Sequence, residues 1–164
     1  DNECKFEEAL AVFDKLRDLA RDDTPKEYCA GMIKGAMVLE HLDRVEEGLE
    51  RIQELRENLP LASDRSASEC WWALYHQGIL LRRARRYDEA HKVLKEVRED
   101  CSNYWQQQSA AHHLGILYLE LAEPEGRSLG LAERCFMESL EKRSEGRYNY
   151  RLAYDHNQIG RAHV

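Results

Sequence analysis

The feature of this 164-residue chain that most constrains its fold is a short sequence motif that occurs four times at nearly constant spacing. The small residues of the motif, at positions 9, 48, 90 and 132, are 39, 42 and 42 residues apart. A large apolar residue follows each of them by four positions. The copies are Glu7-Glu8-Ala9-Leu10, Glu46-Glu47-Gly48-Leu49, Asp88-Glu89-Ala90-His91 and Gly130-Leu131-Ala132-Glu133. Such a period is typical of a solenoid, whose units bury their apolar faces only against their neighbours. Solenoids of helix pairs are more often binding surfaces than catalysts.

The composition excludes several classes of function. The formal net charge is −7, whereas a general nucleic-acid or anionic-membrane surface needs clustered Lys and Arg. No stretch approaches the roughly 18 apolar residues of a membrane span, and no signal peptide opens the chain. We therefore expect a cytoplasmic protein without nucleic-acid or membrane partners. The chain lacks an initiator Met and its repeat is out of phase at both ends, so we expect a fragment of a longer protein or a mature form.

Apolar residues at helical spacing predict about eight helices, and no segment alternates with the period of a strand. Pro25 marks the start of the second helix and Pro60 the end of the third. Ser66 is placed to cap the fourth helix, after a turn at 61–66, and residues 123–130 form the clearest loop. The predicted helices are 5–20, 25–42, 45–59, 67–83, 88–100, 104–121, 131–143 and one that begins near 148.

The sequence offers no metal, cofactor or catalytic signature. Its five Cys are odd in number and lack CxxC spacing, so we expect buried thiols. Cys70 and Cys101 could be close, because they start and end antiparallel helices. A disulfide between them is possible in an oxidising compartment. His112 and His113 are adjacent and point apart, whereas a helical metal pair prefers i, i+4 spacing. The paired carboxylates of the repeat open helices, where they favour the helix dipole.

These residues resemble the tetratricopeptide repeat family, in its long-period variety found in kinesin light chains and in sensor repeats of bacterial signalling ATPases. The first helix of one unit carries Leu114-Gly115 and Tyr118, and its second helix carries Ala132 and Phe136. Matching residues of the preceding units are Leu74, Gly78, Leu81, Tyr87, Ala90 and Leu94, and before them Ala36, Leu39, Val45, Gly48, Ile52 and Pro60. The resemblance implies an all-α, right-handed solenoid of antiparallel helix pairs. It divides the chain into a half unit 1–23, units 24–62, 63–101 and 102–145, and a half unit 146–164.

In this family the first helices of successive pairs line a concave groove. The resemblance therefore implies that the groove is formed by three sets of side chains, one from each of the later units. The expected partner-binding residues are Trp72, Tyr75, Ile79, Arg82, Arg83, His112, Ile116, Tyr154, Asn157 and Arg161. Aromatic and Arg side chains of this kind dominate the binding energy of many interfaces. The corresponding positions in unit 24–62 are Ala30, Ile33, Met37, Glu40 and His41.

Two features refine this expectation. Trp71 and Trp72 point about 100° apart on a helix, so we assign Trp71 to the core and Trp72 to the groove. The Arg pairs 82–83 and 85–86 would suit an acidic or phosphorylated peptide, because Arg binds carboxylate and phosphate bidentately; an ordinary charged turn is the alternative. The Lys and Asn residues with which chaperone-tail clamps hold a carboxylate are absent from the groove positions, which argues against a co-chaperone.

The sequence thus leaves three functions open, and none of them is enzymatic. The first is a protein-interaction scaffold that binds a peptide or a partner helix in its groove. The second is a sensory module of a larger signalling ATPase or regulator, which binds a small molecule or a foreign protein. The third is a structural spacer that self-associates through uncapped solenoid ends, giving a homo-oligomer.

Overall fold

The computed structural model describes residues 2–21, 24–121 and 127–141, and within these ranges it contains eight helical segments and no strand. The segments are α1 (Asn2–Ala20), α2 (Pro25–His41), α3 (Val45–Asn58), α4 (Pro60–Ser63), α5 (Ser68–Arg83), α6 (Tyr87–Asp100), α7 (Tyr104–Glu120) and α8 (Arg127–Glu141). None of the described helices has the length and apolarity needed to cross a bilayer. The chain divides into two compact units, Asp1–Ala90 and His91–Val164.

The predicted helices agree with the observed ones except around two loops. Residues 61–66 were expected to form a turn, but Pro60 begins the single helical turn α4, where its missing N–H needs no partner. Ser66 does not cap α5: its hydroxyl donates to Asp64 Oδ1 at 2.8 Å, and the helix begins two residues later. The loop expected at 123–130 is also wrong in its second half, because α8 begins at Arg127. The helix predicted from 148 lies outside the described residues.

In the first unit, successive helices run antiparallel. The start of α1 meets the end of α2, where the rings of Phe6 and His41 stack with centroids 5.0 Å apart. Farther along the same pair, a Cβ on Gly31 would lie 3.2 Å from the Phe13 carbonyl oxygen, so the two backbones approach closely. Leu10, Val38 and Leu39 form a buried cluster between these helices. The apolar residues that recur at helical spacing therefore form one buried face on each of the two helices.

Alternate helices of the first unit run parallel, with a nearly constant offset between contacting residues. Arg44 and Arg51 of the α3 region reach Glu7 and Asp14 of α1, 37 residues earlier in both cases. On the other side of the unit, Lys26 contacts Glu69 and Glu40 contacts Arg83, with an offset of 43 residues in both cases. A repeated offset means that the second copy of a helix lies beside the first in register. Such stacking is the geometry of a helical repeat.

The second unit repeats this arrangement with α6, α7 and α8. The ring of Phe136 on α8 lies against Gly115 of α7, and Gln108 Nε2 donates to the Ser139 carbonyl at 2.7 Å. The residue earlier on α7, Gln108, contacts the residue later on α8, Ser139, so α7 and α8 are antiparallel. Arg98 of α6 reaches Glu138 of α8 at 3.8 Å, so the two outer helices of this unit are in contact.

One turn is used twice, after α2 and after α5. Asp43 and Arg85, which are 42 residues apart, both have left-handed backbones, with φ of 59° and 60°. In each turn the amide of the next residue bonds back to a helix carbonyl, Arg44 N to Leu39 O and Arg86 N to Leu81 O, at 2.9 Å. This is the hydrogen-bond pattern that closes a helix C-terminus and reverses the chain. The repeat in the sequence is therefore also a repeat in the backbone.

Candidate partner-binding surface

The two adjacent indoles of α5 differ in their exposure, as the helical angle between them predicts. Trp71 is 6% exposed, its Nε1 donates to the Arg65 carbonyl at 2.9 Å, and the Arg65 guanidinium lies 5.2 Å from its ring centroid. Trp72 is half-buried, and so is Tyr75 one turn farther along. Trp71 therefore belongs to the core, and the other two rings form part of the surface of the first unit. We call Trp72 and Tyr75 the α5 aromatic patch.

His76 lies beneath the α5 aromatic patch. Its ring makes edge contacts with both members, at centroid distances of 6.1 Å to Trp72 and 4.9 Å to Tyr75. The imidazole is 7% exposed, and burial lowers its pKa from 6.5 to about 4 because the charged form is desolvated. At neutral pH the patch therefore rests on an uncharged ring, and its half-exposed surface is apolar and aromatic.

Two arginines end α5 beyond the patch. Arg83 is exposed, and its guanidinium approaches Asp43 Oδ1 at 3.4 Å and Glu40 Oε1 at 3.9 Å. Arg82 is half-buried on the same last turn. Since Arg83 already has two carboxylates within the first unit, an acidic ligand would have to compete with them. Exposed ion pairs of this kind are worth only about 0–1 kcal/mol, so such a competition is feasible.

The remaining expected groove residues divide by burial. Ile79 and His112 are 5% and 4% exposed, so the structure gives these two side chains core positions and not the open groove positions that were expected. The ring of His112 packs against Phe136, at 5.6 Å between centroids. Ile116 of α7, in the second unit, is half-buried and thus partly accessible. Tyr154, Asn157 and Arg161 lie outside the described residues.

Within the described ranges, no three His, Cys, Asp or Glu side chains converge as metal ligands would. Cys70 and Cys101 are both buried, reduced thiols, and the disulfide that the sequence allowed between them is not formed. Burial raises the pKa of Cys29 to about 12, with smaller contributions from Glu69 and Cys70. This thiol is therefore neutral at pH 7 and a poor nucleophile.

The second unit has a cleft of about 520 Å³ that the sequence analysis did not anticipate. It lies between α6, α7 and α8 and shares no residue with the expected groove. Its lining residues are His91, Lys95, Arg98, Glu99, Leu114, Tyr118, Leu131, Arg134, Cys135 and Glu138. The signal that could have indicated it is the alignment of the repeats, in which several charged positions of α1–α3 change in α6–α8.

Comparison with known proteins identifies the fold but no family. No family model matches the chain, and no curated protein matches it. Among solved structures, the crystal structure of BtubC (BKLC) from P. vanneervenii has a TM-score of 0.78 and 13% sequence identity, over 99% of this chain and 66% of that one. BtubC is a kinesin light chain-like protein with a TPR-like helical fold. At this identity the likeness shows the fold alone, and it confirms the expected all-α solenoid; the right-handed twist stays a prediction.

Proposed function

We propose that this chain is a protein-interaction module, and not an enzyme, that holds an extended peptide or a partner helix against the α5 aromatic patch. The observation that carries the proposal is the half-exposure of Trp72 and Tyr75 side by side on one helix of a repeat fold. Half-buried aromatic rings supply much binding energy for little loss of side-chain entropy, because their neighbours already hold them in place. The likeness to a kinesin light chain-like protein supports a role of this kind.

The preferred ligand has apolar side chains for the patch and an acidic or phosphorylated residue for Arg82 and Arg83. The aromatic contacts provide most of the affinity in this proposal, because Arg83 must exchange Asp43 and Glu40 for the ligand. A ligand carboxylate or phosphate would gain a bidentate contact in the exchange. The charged contact would thus contribute mainly to the choice of partner.

The experiment compares two pairs of aromatic substitutions in the whole chain. Peptides selected from a random library on the native chain are measured for affinity against the variant Trp72→Ser with Tyr75→Ser. The control is Tyr104→Ser with Trp105→Ser, which removes the same two residue types from exposed positions of α7, 41% and 53% accessible. Circular dichroism establishes that each variant stays helical.

We expect the first pair to weaken binding by at least about 30-fold, which corresponds to the loss of 2 kcal/mol typical of an interface hot spot. The control should change the affinity by less than about threefold. Equal affinity of the native chain and the Trp72/Tyr75 variant would disprove the proposal. A chain that selects no peptide, and whose mass rises with concentration, would point to the self-associating spacer.

A sensory module is the second candidate, and the cleft of the second unit is the observation that favours it. A volume of about 520 Å³ is within the range of small-molecule sites, roughly 300–1,000 Å³. Binding of a small molecule there, in a chain whose α5 aromatic patch selects no peptide, would favour sensing over scaffolding.

A further inference from the structure

Each unit has a cleft between two outer helices and the helix that they enclose. In the first unit it lies between α1, α2 and α3 and has a volume of about 270 Å³. In the second unit it lies between α6, α7 and α8 and has about 520 Å³. The repeat aligns Ala9 with Ala90, Ala36 with Gly115, and Gly48 with Ala132, so the two clefts occupy equivalent places in the repeat.

A shared contact agrees with the alignment of α1 with α6. Arg17 and Asp18, eight and nine residues after Ala9, form an ion pair at 2.8 Å. Arg98 and Glu99, eight and nine residues after Ala90, form the same pair at 3.0 Å. Aligned positions on the other helices also line both clefts, Leu39 and Tyr118 on the enclosed helix and Glu54 and Glu138 on the last one, so the two clefts can be compared residue by residue.

In the first unit, an arginine of α3 occupies part of the cleft. Arg51 is 8% exposed, and its Nη1 donates to Asp14 Oδ1 at 2.5 Å while Nη2 donates to the Gly31 carbonyl at 3.2 Å. Gly35 makes room for the guanidinium, because a Cβ at that position would collide with it. The fold thus supplies the guanidinium with a counter-charge, Asp14, and with the space left by Gly35.

The second unit has none of these three features. The positions equivalent to Arg51, Asp14 and Gly35 are occupied by Cys135, Lys95 and Leu114. A thiol is too short to cross the cleft, an ammonium replaces the carboxylate, and a leucine occupies the place of the missing Cβ. The internal ion pair is therefore not rebuilt, and the cleft is about twice as large.

The rim of the second cleft also changes towards positive charge. Glu50 corresponds to Arg134, and Glu47 corresponds to Leu131. Arg134 Nε donates to the Gly130 carbonyl at 3.3 Å, and among the described residues neither it nor Lys95 has a carboxylate within ion-pair distance. Arg98, by contrast, is engaged by Glu99 and by Glu138. Two cations at the rim are thus available to a ligand.

The floor of the second cleft is uncharged. Leu114 and Tyr118 of α7 form it, and the Tyr118 hydroxyl is hydrogen-bonded to His91 Nε2 at 2.8 Å. Burial raises the pKa values of Tyr118 and Cys135, so both groups stay protonated at neutral pH. The cleft therefore combines a weakly polar floor with a cationic rim.

We propose that the α6–α7–α8 cleft is a binding site for a small organic anion, whose carboxylate or phosphate lies between Lys95 and Arg134. The apolar or aromatic part of the ligand lies against Tyr118 and Leu131, while Leu114 beneath them is buried. Tyr118 is two residues from Ile116, about 200° around α7, so this cleft and the expected groove use different faces of that helix. The site is therefore independent of the peptide-binding proposal.

The test is an NMR titration of the ¹⁵N-labelled whole chain with three probes: phenyl phosphate, benzoate and inorganic phosphate. We expect saturable amide shifts for the two aromatic anions, centred on the lining residues of α6, α7 and α8. The tighter of the two identifies the acidic group that the site prefers. Inorganic phosphate should bind at least about tenfold more weakly than phenyl phosphate, because it has no ring to cover Tyr118 and Leu131.

The variant Lys95→Asp with Arg134→Glu gives these two positions the charges of their equivalents in the first cleft, Asp14 and Glu50. Both residues are exposed, so the fold should tolerate the change. We expect at least about a tenfold loss of affinity for phenyl phosphate. The matched control, Lys15→Asp with Lys92→Glu, alters the net charge equally at exposed positions outside both clefts, and it should bind within about twofold of the native chain. The proposal is overturned if the aromatic anions give no saturable shifts, if the two variants bind equally, or if inorganic phosphate binds as tightly as phenyl phosphate.

Discussion

His76 is a titratable group that the fold holds in its neutral form, and it gives a prediction at the scale of one residue. Burial lowers its pKa to about 4, against 6.5 in the unfolded chain. Between these values the native state binds fewer protons than the unfolded state. The free energy of unfolding is therefore highest above pH 6.5 and decreases as the pH falls towards 4. The loss of unfolding free energy is about 3 kcal/mol.

Urea unfolding at pH 7.0 and at pH 4.5 measures this loss, and the variant His76→Gln is the reference. Carboxylates such as Glu47, whose pKa is lowered by its hydrogen bond to Arg44, also titrate at acid pH in both proteins. The difference between the native chain and the variant therefore isolates the histidine. The same pH dependence in both proteins would show that the imidazole is charged in the native state.

The sequence assigned single residues correctly where local geometry decides their environment. Trp71 was assigned to the core, and it is 6% exposed; Trp72 was assigned to the groove, and it is half-buried, while its place in a groove stays a prediction. It failed for Ile79 and His112, because their burial depends on side chains that are distant in sequence. The cleft cations Lys95 and Arg134 were missed for a related reason: each looks ordinary until the repeats are compared position by position.

At the scale of helices, the boundaries that were predicted wrongly involve Ser66 and Gly130. The sequence treats Ser66 as a cap, but Asp64 binds its hydroxyl instead. Gly130 was expected in a loop, yet it lies inside α8, where its backbone is unstrained and a Cβ would meet no atom within 4 Å. A glycine lowers helix stability without ending the helix when neighbouring turns pack well. The packing of Phe136 two turns later supplies that support.

Two glycines of the second unit should therefore respond oppositely to alanine. A Cβ on Gly115 would lie 2.6 Å from Cε1 of Phe136, whose ring is fully buried. Overpacking costs about 1–3 kcal/mol, which exceeds the helix-propensity gain of about 1 kcal/mol. We expect Gly115→Ala to destabilise the chain and Gly130→Ala to stabilise it by about 0.5–1 kcal/mol, measured by urea unfolding.

The double variant Gly115→Ala with Phe136→Leu controls for the cause of this loss. A smaller, flexible side chain can move away from the new methyl group, so the cost of Gly115→Ala should be smaller in this background than in the native one. An equal cost in both backgrounds would mean that the ring of Phe136 does not oppose the methyl group.

At the scale of the whole molecule, the sequence predicted the repeat because the repeat is a local pattern of small and apolar residues. The same pattern appears in space as constant offsets: 37 residues between contacting positions of α1 and α3, and 43 between those of α2 and α5. What the sequence could not provide is the charge of each cleft, since that depends on which side chains from three helices meet. In repeat folds, stability is approximately a sum of terms within units and between neighbours.

This additivity predicts which helices a destabilising substitution will open. Gly115→Ala disturbs the contact between α7 and α8, so amide hydrogen exchange should accelerate mainly in 104–120 and 127–141, with a much smaller change in 25–58. Ile52→Ala, at a fully buried position of α3, should give the reverse distribution because it leaves a cavity in the first unit. Mass spectrometry of peptides after exchange under native conditions measures both. Equal acceleration along the whole chain in either variant would mean that the repeats open as one cooperative body, and the additive description would then not apply to this protein.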